Sequence, residues 1–285
     1  MNRHILLVGA LVTAVAACGP AASRTEPLPS TQPTVTPSPS PTGSAEPTGT
    51  PTLMPTPTRS RTPTATPSSS ATQTSALPGW LRGHVVSHLP TTRHVMVLTF
   101  DGGAGAQGAA SILATLAREH VPATFFLTGN FVSSNPSTTR AMAAAGHVVG
   151  DHTLTHPHSV TLSSAALARE VTVTAERILA TTGRSPRPWF RFSYGEYDAR
   201  TLRVVNDLGY GAIGWTVDTL GWKGKEAGSS ADVVRRVRAA ISPGAIVLMH
   251  LGANPDDGTT YDADALPAMI AAIRAAGYGF VTVAG

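Results

Sequence analysis

The chain has 285 residues, with 21 Lys and Arg against 17 Asp and Glu and a formal net charge of +4. Lys occurs only at Lys223 and Lys225, so no basic stripe forms a nucleic-acid footprint, and nucleic acid is excluded as a partner. Cys18 is the only cysteine, which excludes a disulfide and leaves the fold to stand on its apolar core.

In chain order, a charged start gives way to the apolar run Ile5–Ala17 and then Cys18, the pattern of a secretory signal too short to span a bilayer comfortably. Val15-Ala16-Ala17-Cys18 is similar to a bacterial lipobox. Residues 1–18 are therefore predicted to be a lipoprotein signal peptide with Cys18 as the lipidation site. The protein is then expected to be extracytoplasmic, held to the membrane through a lipid anchor. An ordinary signal peptide and an uncleaved anchor are the competing readings. Residues 19–77 are almost entirely Pro, Thr, Ser, Ala and Gly, with too little to bury, and are predicted to be a disordered linker. Proline at this density favours an extended tether reaching on the order of 100–180 Å, a span suited to crossing a cell wall.

From residue 78 to 285 the composition is that of one globular domain, and short apolar runs alternate with helix-period segments. Strands are predicted at Val95–Phe100, Ala123–Leu127, His147–Gly150, Trp189–Phe192, Gly211–Thr216, Ala245–Met249 and Gly279–Val283. Helices are predicted at Ala106–Glu119, Thr138–Ala145, Ser163–Thr182, Ala199–Leu208, Ser230–Ile241 and Ala263–Ala276, several ended by Gly or Pro. The fold class is α/β: a distorted, incomplete (β/α) barrel of about seven parallel strands, with an open doubly wound sheet giving a similar string. In either arrangement the chemistry belongs at the carboxyl ends of the strands.

The reactive side chains fall at those ends. Val97-Leu98-Thr99-Phe100-Asp101-Gly102-Gly103 brings a carboxylate out of a buried strand into a Gly-rich turn, which makes Asp101 the general-base candidate. In Asp151-His152-Thr153-Leu154-Thr155-His156-Pro157-His158, one helical turn would let His152 and His156 converge on a divalent metal; zinc suits neutral imidazole, with cobalt or nickel as alternatives. Arg191, in Trp189-Phe190-Arg191-Phe192-Ser193-Tyr194-Gly195, is placed to hold Asp101 ionised. His250 ends the strand that carries Val247-Leu248-Met249. The loop 252–260 borders the same mouth and reads as an Asn/Asp/Gly turn.

The order of these motifs resembles the polysaccharide deacetylases of carbohydrate esterase family 4, which carry a NodB-homology domain. The resemblance runs from about Arg93 to Ala284, and its most specific parts are Thr99-Phe100-Asp101, the His152/His156 pair and Leu248-Met249-His250, with Ala123-Thr124-Phe125-Phe126 in support. It implies Asp101 as catalytic base, His152 and His156 as metal ligands, Arg191 as the anchor of the base and His250 as general acid. It also implies Tyr194 as donor of an oxyanion-binding backbone N–H, and Trp222 as the groove wall of Trp215-Thr216-Val217-Asp218-Thr219-Leu220-Gly221-Trp222. The expected activity is hydrolytic removal of acetyl groups from an N-acetylated envelope glycan, peptidoglycan above all, by a monomer. A glycan-binding protein of weakened chemistry and an O-acetyl esterase are the alternatives.

Two positions depart from the family pattern. Gly102 stands where a second acid supplies the third metal ligand, so metal binding should be weaker and an acid restored there should tighten it. Asp101 and Asp151 are the possible stand-ins. Gly221 stands where an acid tunes the catalytic histidine, and Asp218 is the nearest replacement, beside its expected place at the substrate groove.

Overall fold

Each predicted apolar run forms at least a short strand, and two two-residue strands join them. The strands are β1 (Val85–Val86), β2 (Val95–Gly102), β3 (Thr124–Leu127), β4 (Val148–Asp151), β5 (Trp189–Phe190), β6 (Gly211–Ile213), β7 (Val217–Asp218), β8 (Ile246–His250) and β9 (Gly279–Val281). The helices are α1 (Ala109–Arg118), α2 (Gly129–Ser134), α3 (Pro136–Ala144), α4 (Ser164–Thr182), α5 (Ala199–Asp207), α6 (Ser230–Ala239) and α7 (Tyr261–Ala275). This computed structural model describes residues 77–103 and 105–285; the predicted signal segment, Cys18 and nearly all of the linker lie outside the described residues. Leu77, read from sequence as the last linker residue, is buried in one cluster with Leu81. Among the described residues no helix is long and apolar enough to cross a membrane.

All named strand pairings are parallel, in the order β1-β6-β5-β4-β3-β2-β8-β7, with β9 beside the start of β2. The link from β6 to β7 decides between the two fold readings. These strands lie near opposite ends of that order, yet only residues 214–216 separate them in sequence, a path of about 14 Å even when extended. The sheet must therefore curl until its edges approach. Backbone bonds cross the seam from Thr216 N–H to the Ile246 carbonyl at 2.8 Å and from Leu89 N–H to the Gly244 carbonyl at 2.9 Å, and His88 bridges Ala245. The result is an incomplete, distorted (β/α) barrel rather than an open doubly wound sheet.

β2 is buried along its whole length and supplies both layers of the core. Met96, Leu98 and Phe100 face the helices with Ile112, Leu116, Leu266 and Ile270, while Val97 faces the barrel interior with Phe126, Ile213 and Ile246. By the strand's period of two, Thr99 and Asp101 share the interior face with Val97. The register puts Asp101 opposite His250 on β8 and opposite Phe126 on β3, and Leu127 opposite Asp151. Asp101, His250 and the histidine segment thus emerge together at one rim.

Candidate active site

Asp101 leaves the end of β2 almost fully buried and meets two groups. Its Oδ1 accepts from Arg191 Nη1 at 2.7 Å, and its Oδ2 lies 3.5 Å from His152 Nε2. Burial alone would raise the pKa of Asp101, but Arg191, His152 and His250 outweigh it and hold the carboxyl below the ordinary range. Arg191 is entirely buried and every arm of its guanidinium is used. Nε donates to the Ile213 carbonyl at 3.2 Å, Nη1 also donates to Thr99 Oγ1 at 2.9 Å, and Nη2 donates to the Gly214 carbonyl at 2.9 Å. The same group lies 4.2 Å from the centre of the Phe126 ring. The Ile213 and Gly214 carbonyls at the end of β6 thereby fix the cation that holds Asp101.

His152 is buried, and its Nδ1 lies 2.9 Å from the Arg191 carbonyl. A carbonyl can only accept, so Nδ1 carries the proton and donates; burial keeps the imidazole pKa low against the pull of Asp101. Nε2 is then a lone pair facing a carboxylate oxygen, two acceptors at 3.5 Å. That arrangement calls for a positive species beside them. His156 comes close, its ring 4.8 Å from that of His152, and burial followed by the neighbouring His152 lowers its pKa to about 4.

The segment joining these histidines is not the helical turn expected from sequence. Thr153 and His156 take left-handed backbone angles, φ 67° and 61°. Side chains hold this irregular path. Asp151 Oδ1 accepts from Thr153 N–H at 2.9 Å, and Glu170 of α4 accepts from the N–H groups of Leu154 and Thr155 at 2.9 and 2.8 Å. Asp151 is wholly buried, its Oδ1 is engaged by the Thr153 backbone, and burial raises its carboxyl pKa well above the ordinary carboxylate value. Among the described residues no three His, Cys, Asp or Glu side chains are gathered into a ready ligand shell.

Tyr194 sits at φ 59° in the tight turn Ser193–Gly195, where Gly195 and Glu196 donate back to Phe192 and Ser193. Its ring, 55% exposed, stands 4.5 Å from that of His156 and stacks at 4.3 Å on His158. His158, 2.9 Å from Glu196, is an outer neighbour of the histidine pair. At Gly195, φ is 67° and a Cβ would lie 2.6 Å from the Trp215 ring, so only glycine suits the turn.

Trp222 is 45% exposed with its ring 6.4 Å from that of His250, a placement that gives the mouth an aromatic wall. Asp218 accepts from Leu220 N–H at 2.8 Å and from Trp222 Nε1 at 3.2 Å. It shapes the turn and orients the tryptophan, and the structure places it in no hydrogen bond with His250, contrary to the replacement role expected from sequence. The loop 252–260 contributes through Asn254, whose Nδ2 donates to the Trp222 carbonyl at 2.8 Å, and Asp257, which accepts from Lys225 N–H at 2.7 Å.

The carboxylate beside His250 is Asp262, which sequence reading missed. It is 3% exposed; its Oδ2 accepts from His250 N–H at 2.8 Å and stands 3.7 Å from His250 Nδ1. Burial pulls the His250 pKa down, but Asp262, Asp101 and Asp218 outweigh burial and raise it. Helix phase was the available signal. Asp262, Leu266, Met269 and Ile273 lie on the buried face of α7, which begins two residues before the predicted Ala263.

A family model described as polysaccharide deacetylase matches residues 88–213, a segment that contains Asp101, His152, His156, Arg191 and Tyr194. The chain is 38% identical over 160 residues to a chitooligosaccharide deacetylase of Rhizobium leguminosarum bv. trifolii, covering 56% of this chain and 73% of the relative. It is 32% identical over 207 residues to a peptidoglycan-N-acetylglucosamine deacetylase of Listeria monocytogenes, covering 73% of this chain and 41% of that protein. Among solved structures, a pseudoenzyme of carbohydrate esterase family 4 from Bacillus anthracis superposes with a TM-score of 0.65 at 30% identity, covering 71% of this chain and 68% of that one. A mutant of that pseudoenzyme with restored enzymatic activity matches at 32% identity, also with a TM-score of 0.65. With motif order, barrel and rim geometry in agreement, the chain belongs to the polysaccharide deacetylase family, carbohydrate esterase family 4.

Proposed function

We propose that the protein hydrolyses the acetamide of an N-acetylated cell-envelope glycan, peptidoglycan above all, releasing acetate and leaving an amino sugar. The observation that supports this most is the pairing of an ionised, Arg191-anchored Asp101 with His250 directly across the β2–β8 ladder. With Oδ1 tied to Arg191, Oδ2 of Asp101 takes the proton from the attacking water as the C–O bond forms. The Tyr194 N–H donates to the carbonyl oxygen as it gains charge. His250 gives its proton to the departing nitrogen as the C–N bond breaks, and Trp222 packs against the sugar.

The donor set fits a divalent cation. Two imidazoles are neutral, and the His152 proton committed to the Arg191 carbonyl leaves Nε2 free to ligate, as the outer partner of a metal-binding histidine does. His152 and His156 would hold it; when bound, zinc, or cobalt or nickel in its place, supplies Lewis acidity to the acetyl carbonyl and acidifies water. His156→Ala is expected to weaken zinc binding by 10-fold or more, on the order of losing one ligand's share. Calorimetric titration of the purified chain with zinc checks this, and unchanged affinity would remove His156 from the ligand set.

Position 102 changes one expectation. Its side-chain direction is that of Met96, Leu98 and Phe100, toward the helices. A Cβ there would lie 2.7 Å from Leu127, 3.1 Å from Leu251 and 3.2 Å from Phe131. An acid restored at 102 would start from this apolar layer. Gly102→Asp is accordingly expected to cost about 1–3 kcal/mol in chemical denaturation and to leave zinc affinity near that of the parent. Tighter zinc binding would show that the strand end rotates to present the acid.

Acetate release from peptidoglycan, chitooligosaccharide and acetylxylan, with zinc, cobalt or nickel supplied, tests the reading. Release from the first two but not the last supports an N-deacetylase. Release from acetylxylan alone would identify an O-acetyl esterase, and glycan retention without release a binding protein. The extracytoplasmic location and lipid attachment at Cys18 belong to the same proposal, supported by the amino-terminal pattern and the envelope substrate named for the Listeria relative. Metabolic labelling with a fatty acid, lost in Cys18→Ser, tests that attachment.

A further inference from the structure

We propose that Asp262 is the positioning carboxylate of His250, supplied from α7 into the space left by the missing side chain at position 221. The assignment rests on His250 acting as the proton donor proposed above. The geometry of the two positions carries it. A Cβ on Gly221 would come within 2.6 Å of Asp262 Cγ and 2.9 Å of Oδ2, so the Asp262 carboxylate already fills the volume that any side chain at 221 would enter. The two positions are alternatives in space, and this chain uses one of them.

The carboxylate is aimed at the histidine from a fixed platform. Oδ1 accepts from Thr219 Oγ1 at 2.7 Å, on the same turn as Gly221, and Oδ2 accepts from His250 N–H at 2.8 Å. His250 Nδ1 is buried, lies 3.7 Å from that same Oδ2 and has no hydrogen-bond partner among the described residues. A small rotation of the ring completes the bond, and such bonds commonly tighten only when substrate is bound. With Nδ1–H directed at Asp262, Nε2 is the nitrogen presented to the leaving group. The other ionisable groups facing His250 are Asp101 on β2, Asp218 on β7, and His152 and His156 across the rim. Of these, Asp262 alone lies beside Nδ1.

The test measures the His250 imidazole pKa by NMR and the pH–rate profile in the full chain, for Asp262→Asn and for two double variants. These are Asp262→Ala with Gly221→Asp, and Asp262→Ala with Gly221→Asn, which differ in charge while filling the same space. Asp262→Asn is expected to lower the His250 pKa by about one unit or more, because an opposite charge at this range is removed. The basic limb of the profile should fall with it, and kcat should drop by about 10-fold or more with KM little changed. Gly221→Asp in the double variant should return the pKa, whereas Gly221→Asn should not. If both double variants titrate alike, or if Asp262→Asn leaves the pKa in place, the assignment is overturned. The double pair decides the matter even if Asp262→Asn does not fold. Absence of acetate release from every variant and the parent, with the pKa moving as stated, would refute the proposed function and support Asp262 as the partner of His250.

Discussion

Arg191→Met is expected to destabilise the fold by about 3–5 kcal/mol and to abolish acetate release, the largest combined effect of any single substitution in the site. The reason lies in what the guanidinium leaves behind. Methionine roughly keeps the volume and the contact with Phe126, but it strands the buried Asp101 carboxylate and the carbonyls of Ile213 and Gly214. Against a typical domain stability of about 5–15 kcal/mol, such a loss threatens folding itself. Arg191→Lys separates the two consequences. An ammonium keeps the charge but cannot reach all four acceptors, so the variant should fold with reduced stability while the pKa of Asp101 rises. The sign follows from linkage: weaker pairing with a cation raises a carboxylate pKa, so the acidic limb of the pH–rate profile moves to higher pH. Urea denaturation and the profile measured together check both statements. Parent-like stability in Arg191→Met, with the limb unmoved, would show that this ion pair does not set the base.

The strand ends were legible because a buried parallel strand writes an unbroken apolar run, and the first polar residue after the run marks where it surfaces. Asp101 and His250 are read that way, each ending such a run. β1 and β7 were not legible, since two residues carry no periodicity. They matter all the same, for the short path from β6 to β7 is what curls the sheet and carries the Gly214 carbonyl to Arg191. α2 was missed for a similar reason. It spans only Gly129–Ser134, and the cap that starts it, Thr128 accepting from Phe131 N–H at 3.0 Å, is a single local contact.

The histidine segment shows a different limit. Spacing of four suggested a helical turn, and the histidines do meet, but through left-handed residues held by Asp151 and Glu170. Glu170 lies on α4, outside any motif, so nothing in the local sequence announced its part. Asp262 was hidden for a related reason. Asp262 and Asp264 both read as acids favourable at a helix start, and only the packing of α7 on the end of β8 turns the first inward while the second stays exposed. Gly221 pointed to a displaced acid, and proximity in sequence suggested Asp218, which is bonded to Leu220 N–H and Trp222 Nε1, whereas Asp262 stands 3.7 Å from His250 Nδ1.

Asp101→Asn should lower kcat/KM by about 10³-fold while disturbing the fold less than Arg191→Met does. The amide is nearly isosteric with the carboxylate. Its oxygen can still accept from Arg191 Nη1, and its NH2 can then donate toward His152 Nε2, replacing the present confrontation of two acceptors at 3.5 Å. The variant therefore gains a hydrogen bond where it loses a charge, and the remaining cost comes from leaving the Arg191 cation without a counter-charge. Zinc affinity should fall as well, because the amide engages the lone pair of His152 and removes a negative charge from beside it. The stability difference has a defined pH dependence. A carboxylate whose folded pKa is depressed stabilises the native state above its unfolded value, near 3.9, and loses that contribution as pH falls through the folded pKa. The gap between parent and Asp101→Asn in urea denaturation should accordingly be full near neutrality and close in acid. A gap constant from pH 7 to pH 3, with acetate release intact, would mean that Asp101 is neither the anchored anion nor the base, and the proposed reaction would lose the residue that takes its first proton.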